Sequence, residues 1–195
     1  MAPAKSSFSN QCGFSLVEVV VSMAILTTVS LGVAQLFAAS TNANRVAHDR
    51  TSTTAMAEQK MEQLRSLDWG FDLQGQGLPV TDTTTNLAEY PHRDNGSGLN
   101  PSPNDTLLKN TAGFVDYLDA NGAWVGTGDE PTAGAAYIRR WAIIPLPTNP
   151  NNTLVLQVLV TSVADEARLD LTNLPRRPRQ PGDALLISVK TRKAQ

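Results

Sequence analysis

A long apolar run near the N-terminus constrains this 195-residue chain more than any other feature. The run extends from Phe14 to Ala39, and Glu18 is its one formally charged residue. A helix of that length reaches about 39 Å at roughly 1.5 Å per residue, which exceeds a hydrocarbon core of about 30 Å. The run therefore predicts a membrane-crossing helix that carries a single carboxylate about one turn from its start.

The carboxylate of Glu18 is costly in that position. A charged side chain at the bilayer centre costs roughly 2.5–3.5 kcal/mol on insertion scales, and less near the interface. Charged residues inside membrane segments usually have a partner and a function. A plain single-pass anchor explains the length of the run but gives no reason for Glu18.

Two kinds of export signal fit the run poorly. A secretory signal peptide has an apolar region of about 7–15 residues before small residues at its cleavage site, and this run is longer. Residues 37–40, Phe-Ala-Ala-Ser, offer only a weak site of that kind. A lipoprotein signal places its cysteine after the apolar region, whereas Cys12 precedes it.

The residue order Gly13-Phe14-Ser15-Leu16-Val17-Glu18, followed by an apolar helix, resembles the type III signal of type IV prepilins and type II secretion pseudopilins. The resemblance implies that prepilin peptidase cuts between Gly13 and Phe14 on the cytoplasmic side. It also implies that Phe14 is then N-methylated and that Glu18, fifth in the processed chain, is the family's assembly glutamate. Residues 1–13 are the expected leader peptide.

Cleavage would create a charge that Glu18 can neutralise. The new amine of Phe14 is positive, and charges in a low-dielectric setting are tolerated mainly when they are paired. The glutamate of an incoming subunit can meet the amine of its neighbour while the apolar helices pack together. The pair would then fix the register of assembly, as a buried polar residue does in a coiled coil. Gly13 suits a close approach of its backbone to the peptidase.

The leader departs from the family pattern in its charge. Lys5 is its only basic side chain, so the positive-inside bias is weak against Arg45 and Arg50 beyond the run. The single cysteine, Cys12, would leave with the leader, and the processed chain would have no disulfide. A net charge of −2 argues against a nucleic-acid partner, since nucleic-acid-binding proteins are generally basic.

The helix is predicted to continue beyond the membrane over residues 40–69. No proline occurs between Phe14 and Trp69, and Trp69-Gly70 is the expected stop. Apolar and small residues recur at helical spacing along one stripe: Val46, Thr53, Ala57, Met61, Leu64 and Leu67. Charged residues are expected on the other faces: Arg45, Asp49, Arg50, Glu58, Lys60, Glu62 and Arg65.

The rest of the chain predicts an irregular region over 70–113 and an antiparallel sheet over 114–195. Asn121-Gly122 lies between short apolar runs and predicts a hairpin. Longer strands are expected over 136–144, 154–163 and 184–191, and apolar residues on both alternations predict that the 154–163 strand is central. A helix followed by antiparallel strands is α+β, and here it resembles the type IV pilin fold.

Other candidate sites are weak. Asp116, Asp119 and Asn121 lack the spacing of an EF-hand, so no metal is expected. Arg176, Arg177 and Arg179 form a basic loop that we interpret as solvated. His48 and His92 are the only histidines, and no catalytic constellation is present in the sequence. We expect no enzyme activity and no cofactor.

These observations predict a minor prepilin-type subunit, most similar to the type IV pilus modification (PilV-like) branch. A minor pseudopilin of a type II secretion system is the close alternative. A membrane-anchored periplasmic enzyme or binding domain is the alternative from another class. The resemblance implies four partners: other pilin or pseudopilin subunits, prepilin peptidase, an inner-membrane assembly platform and inner-membrane lipid. It places residues 14–39 in the inner membrane and the C-terminal domain in the periplasm.

Overall fold

The computed structural model describes residues 13, 15–71, 79–81, 98–169 and 178–192. The chain forms two compact units, Met1–Asn44 and Arg45–Gln195. In the first unit the described residues after Ser15 are helical throughout. The second unit combines helix and sheet around a hydrophobic core.

Helix α1 runs from Leu16 to Ser66, so the prediction of one long helix of about 50 residues is confirmed. The helix ends three residues before the expected stop at Trp69. Its apolar and polar residues change pattern along its length. Side chains in its first half are exposed on every face, whereas its last turns bury Thr53, Met56, Ala57, Lys60, Met61 and Leu64.

The second unit contains a five-stranded antiparallel sheet in the order β4-β3-β5-β6-β7. Its strands are β3 (Val115–Leu118), β4 (Trp124–Gly126), β5 (Tyr137–Pro145), β6 (Thr153–Ser162) and β7 (Ala184–Thr191). A short helix, α2 (Val163–Glu166), follows β6. A long N-terminal helix on a small antiparallel sheet is an α+β, pilin-like architecture, as predicted.

Strand β6 is central, between β5 and β7, which confirms the prediction from its apolar pattern. Its alternate residues Leu154, Leu156, Val158 and Val160 are buried in one cluster with Met56, Ala57, Met61 and Leu64 of α1. Alternate side chains point to opposite faces of a strand, so this cluster defines the face that the helix covers. Removing this apolar surface from water drives the packing of helix on sheet.

The β3–β4 hairpin forms around the predicted turn. The Asp119 carboxylate accepts bonds from the main-chain N–H groups of Asn121 and Ala123, both at 2.8 Å. Gly122 has a φ of +80°, a conformation that side chains other than glycine rarely adopt. A Cβ at Gly122 would also come within 3.3 Å of the Met56 side chain, so the turn lies close to α1.

The stretch predicted to be irregular contains some order. Strands β1 (Trp69–Phe71) and β2 (Pro79–Thr81) pair antiparallel in a separate two-stranded sheet. Further along, Ser102 exchanges hydrogen bonds with the main chain of Ile143 on β5, and Leu99 is buried. Runs of three residues are too short for alternation to be visible in the sequence, which is why these pairings were missed.

The expectation that Lys60 lies on an exposed face of the helix is wrong. Only 3% of Lys60 is exposed, and its ammonium faces the sheet. A lysine among good helix formers gives no sign of burial in the sequence. Its partner, Asp116, lies 56 residues away and is brought close only by the sheet.

Candidate functional site: the N-terminal assembly segment

Gly13 and Ser15 precede the first turn of α1. The main-chain N–H of Val19 donates to the Ser15 carbonyl at 3.2 Å, which begins the helical hydrogen-bond pattern. A Cβ at Gly13 would contact nothing within 4 Å, and Gly13 does not have a positive φ. Neither packing nor backbone conformation in the described residues therefore requires glycine at position 13. Phe14 lies outside the described residues.

Glu18 lies in the first turn of α1 and is exposed. Among the residues that the structure describes, its carboxylate has no ion pair and no hydrogen bond. The free N–H groups of a first helical turn favour a nearby negative charge, but that stabilisation is only about 0.3–1 kcal/mol at an exposed site. The carboxylate is thus available to a cation outside this chain.

Around Glu18 the surface of the helix is apolar. Large hydrophobic side chains are exposed from Leu16 to Phe37, with Leu16 at 78% and Phe37 at 70%. An 18-residue window of α1 has a mean hydropathy of 2.1, so by length and composition α1 can cross a membrane. A helix that is apolar all round is suited to lipid or to the centre of a helix bundle.

A second charged group lies in the core of the globular unit, and the sequence did not reveal it. Arg139 donates two bonds to Asp116, from Nε to Oδ1 at 2.8 Å and from Nη2 to Oδ2 at 2.9 Å. Lys60 Nζ donates to Asp116 Oδ2 at 3.3 Å and lies 3.6 Å from the centre of the Trp141 ring. We call Lys60, Asp116 and Arg139 the buried triad.

The triad joins helix to sheet, since Lys60 is on α1, Asp116 on β3 and Arg139 on β5. Arg139 Nη1 also donates to the Met56 carbonyl and to Gln59 Oε1, both at 3.1 Å. The pKa of Lys60 is lowered to about 8, mainly because the ammonium is buried; Asp116 opposes this effect and Arg139 adds to it. Two charged residues beside Trp141 in an apolar strand were the available signal, because a charge in such a strand needs a partner.

Arg140 is buried on the other alternation of β5. Its Nε donates to Asn110 Oδ1 at 2.9 Å, and its Nη2 donates to Glu166 Oε1 at 2.8 Å. Glu166 belongs to α2, whose first turn is capped by the Ser162 hydroxyl. The pair ties α2 to the sheet, and the two neighbouring arginines therefore serve opposite faces.

The other candidates from the sequence do not form a site in the described residues. The Asp116 carboxylate is used in the triad, and that of Asp119 caps the hairpin turn. His48 is exposed, with Nδ1 3.9 Å from Asp49. No group of three metal-binding side chains occurs in the part of the chain that the structure describes. His92, Arg176 and Arg177 lie outside those residues.

A profile of the prokaryotic N-terminal methylation motif matches residues 8–34. The match covers the glycine, the aromatic residue and the glutamate on which the sequence resemblance depends. No curated protein and no solved structure gives a significant match to the chain.

Motif and fold together support a type IV pilin-like or pseudopilin protein. The motif indicates a structural subunit that is processed by prepilin peptidase and interacts with other pilins. With its apolar helix, the motif suggests a membrane-anchored protein that is incorporated into a filament of the pilus type.

We predict that the three charges of the triad differ in their effect on stability. Asp116→Asn leaves two buried cations without a carboxylate and should lower the free energy of unfolding by about 3–5 kcal/mol. Lys60→Met leaves the two Arg139–Asp116 bonds intact and should change it by less than about 1.5 kcal/mol at pH 7. Urea unfolding of the full chain in detergent, followed by tryptophan fluorescence, measures both. Equal losses for the two variants would contradict this account.

The lowered pKa of Lys60 predicts a pH dependence. Between about pH 8 and pH 10.5 the unfolded chain keeps a proton that the folded chain has lost, so the free energy of unfolding rises with pH. The free energy of unfolding of wild type, minus that of Lys60→Met, should therefore rise by up to about 1.4 kcal/mol per pH unit in that range. Burial raises the pKa of Tyr117 to about 12 from 10.0, so its opposite effect begins only above pH 10. Unfolding curves between pH 7 and pH 9.5 test this, and a constant difference would refute it.

Proposed function

We propose that this protein is a minor prepilin-type subunit that takes part in type IV pilus assembly or modification. In this proposal, prepilin peptidase cuts between Gly13 and Phe14, and Phe14 is N-methylated. Residues 14–39 then join a bundle of related helices. The observation that carries the proposal is the Glu18 carboxylate, which has no ion pair or hydrogen bond among the described residues and lies in the first turn of a helix whose first half exposes large hydrophobic side chains.

A counter-ion from a second subunit explains that carboxylate. Opposite charges about 4 Å apart attract each other by about 4 kcal/mol at an effective dielectric of 20, and by more in a drier setting. An unpaired charge in the same place would oppose assembly, since its hydration is lost without compensation. After cleavage, the Phe14 amine of a neighbouring subunit would have the required sign, and Phe14 is four residues before Glu18 in the sequence. Helices are then joined only in the register that brings the two groups together.

Gly13 supports the same proposal. The described structure gives position 13 no packing contact and no conformation that needs glycine. A requirement outside the fold, such as a close approach of the backbone to a peptidase, accounts for glycine there. We place the division between leader and mature chain at this residue.

The proposal divides the mature chain by function. Residues 14–39 cross the inner membrane and assemble, 40–69 carry the helix onto the globular domain, and 70–113 connect it to the sheet domain over 114–195. The cytoplasmic cleavage that the motif implies would leave the C-terminal domain in the periplasm. The inner-membrane assembly platform and the surrounding lipid are the further partners in this scheme.

Within the class we favour the pilus modification (PilV-like) branch over a minor pseudopilin of type II secretion. Retention of Glu18 argues against the one pseudopilin class that lacks this residue. The amphipathic helix over residues 55–65 suits both branches. Deletion of the gene distinguishes them, because the first branch loses surface pili and the second loses secreted protein.

The alternative from another class is a membrane-anchored periplasmic enzyme or binding domain without a role in assembly. It shares the apolar helix but requires neither cleavage after Gly13 nor a partner for Glu18. The state of the N-terminus therefore separates the two hypotheses.

We predict that the protein isolated from membranes begins with N-methylated Phe14. Mass spectrometry of the N-terminal peptide measures this directly. A Gly13→Val variant should accumulate with its leader attached, because the added side chain obstructs the peptidase but meets nothing in the fold. An intact Met1 in the wild-type protein would instead support the anchored enzyme or binding domain.

We also predict that Glu18→Ala is cleaved normally but assembles poorly. The variant loses the charge pair while the apolar helix is retained, so incorporation should fall at least about tenfold. The readout is the amount of other prepilin-type subunits that co-purify with the tagged chain from detergent-solubilised membranes. Glu58→Ala is the matched control, since Glu58 is an exposed glutamate of the same helix beyond the span. Wild-type incorporation of Glu18→Ala would remove the argument from charge pairing.

A further inference from the structure

The threonine hydroxyls in the first half of α1 are satisfied by their own helix. The Thr27 hydroxyl donates to the Met23 carbonyl at 2.7 Å, and the Thr28 hydroxyl donates to the Ala24 carbonyl at 2.8 Å. Such bonds to the carbonyl four residues earlier allow threonine to face lipid or another helix without an outside partner.

Gln35 is different. Its amide lies in the same apolar run and is exposed, and among the described residues it forms no hydrogen bond. A glutamine amide carries two N–H donors and a carbonyl acceptor, so it has more hydrogen-bonding capacity to satisfy than a threonine hydroxyl. Leu36 and Phe37 follow it, at 71% and 70% exposed, so the apolar surface continues past the amide.

The position of Gln35 separates it from Glu18. Gln35 is 17 positions after Glu18, which corresponds to about 25 Å along the helix axis and about 100° around it. One straight neighbouring helix cannot face both side chains at once. A neighbour that meets Glu18 therefore leaves Gln35 directed toward a different side of the bundle.

We propose that Gln35 forms a hydrogen bond to the N-terminal helix of a second neighbouring prepilin-type subunit, and that it marks a contact face distinct from the Glu18 face. This inference rests on the proposed function, because it requires the helix to be assembled among others. Glutamine side chains bond across helices in membranes, to polar side chains or to main-chain carbonyls of the partner. Lipid tails offer no acceptor, so in an assembled bundle we assign the bond to a related helix; headgroups or water as the partner would leave the assembly of a Gln35 variant unchanged.

The test compares full-length Gln35→Leu with wild type and with Thr28→Val. Leucine inserts into a bilayer more readily than glutamine, so loss of assembly cannot be attributed to failed insertion. Thr28 is seven residues earlier, which places it within about 20° of the same face, but its hydroxyl is already satisfied, so it is the matched control. Each tagged chain is purified from detergent-solubilised membranes, and co-purified subunits with methylated N-termini are counted by mass spectrometry.

Gln35→Leu should reduce the co-purified subunits by about 3- to 15-fold, the effect of one hydrogen bond between membrane helices. Its membrane level and Phe14 methylation should equal those of wild type, and Thr28→Val should assemble normally. Normal assembly of Gln35→Leu would overturn the inference, as would an equal loss in Thr28→Val. An uncut N-terminus, or normal assembly of Glu18→Ala, would instead overturn the proposed function on which the inference rests.

Discussion

The Glu18 carboxylate is a charge for which the described part of this chain supplies no counter-ion. It is the one charged residue between Leu16 and Phe37, where the large hydrophobic side chains of the helix are exposed. A group of this kind is stable in water or beside a cation, and a helix of this kind is stable in lipid or beside another helix. In the proposed function the two demands are met together, where apolar helices meet and one of them presents a positive group.

In the core of the globular unit, by contrast, the Asp116 carboxylate is paired within the chain. Asp116 receives two bonds from Arg139 and one from Lys60, and all three residues are at least 97% buried. Burial lowers the pKa of Lys60, and the attraction of Asp116 opposes that effect. Buried ion pairs often add little net stability over apolar side chains of similar size, so we interpret the triad as a device of alignment. It holds one turn of α1 opposite fixed positions of β3 and β5, as Glu18 is proposed to hold one subunit opposite another.

The sequence predicted those helices, strands and turns whose residue pattern is set within the element itself. The long helix follows from a stretch without proline that changes from wholly apolar to amphipathic, and β7 was predicted with its observed bounds, Ala184–Thr191. The β3–β4 hairpin follows from Asn121-Gly122 at a turn that requires a positive φ. Each of these signals lies within a few residues, where propensity and periodicity operate.

Contacts between distant residues were not predictable in this way. Lys60 was placed among exposed charges because helical spacing alone cannot show that a carboxylate 56 residues later lies beneath it. Arg139 and Arg140 are adjacent in sequence, yet one faces α1 and the other bonds to Asn110 and Glu166. The same limit applies to the candidate site, where only the local sequence pattern was predictable. Gly13 and Glu18 were predicted as site residues from the order of neighbouring residues, whereas the difference between Thr28 and Gln35 is visible only in the hydrogen bonds of the helix.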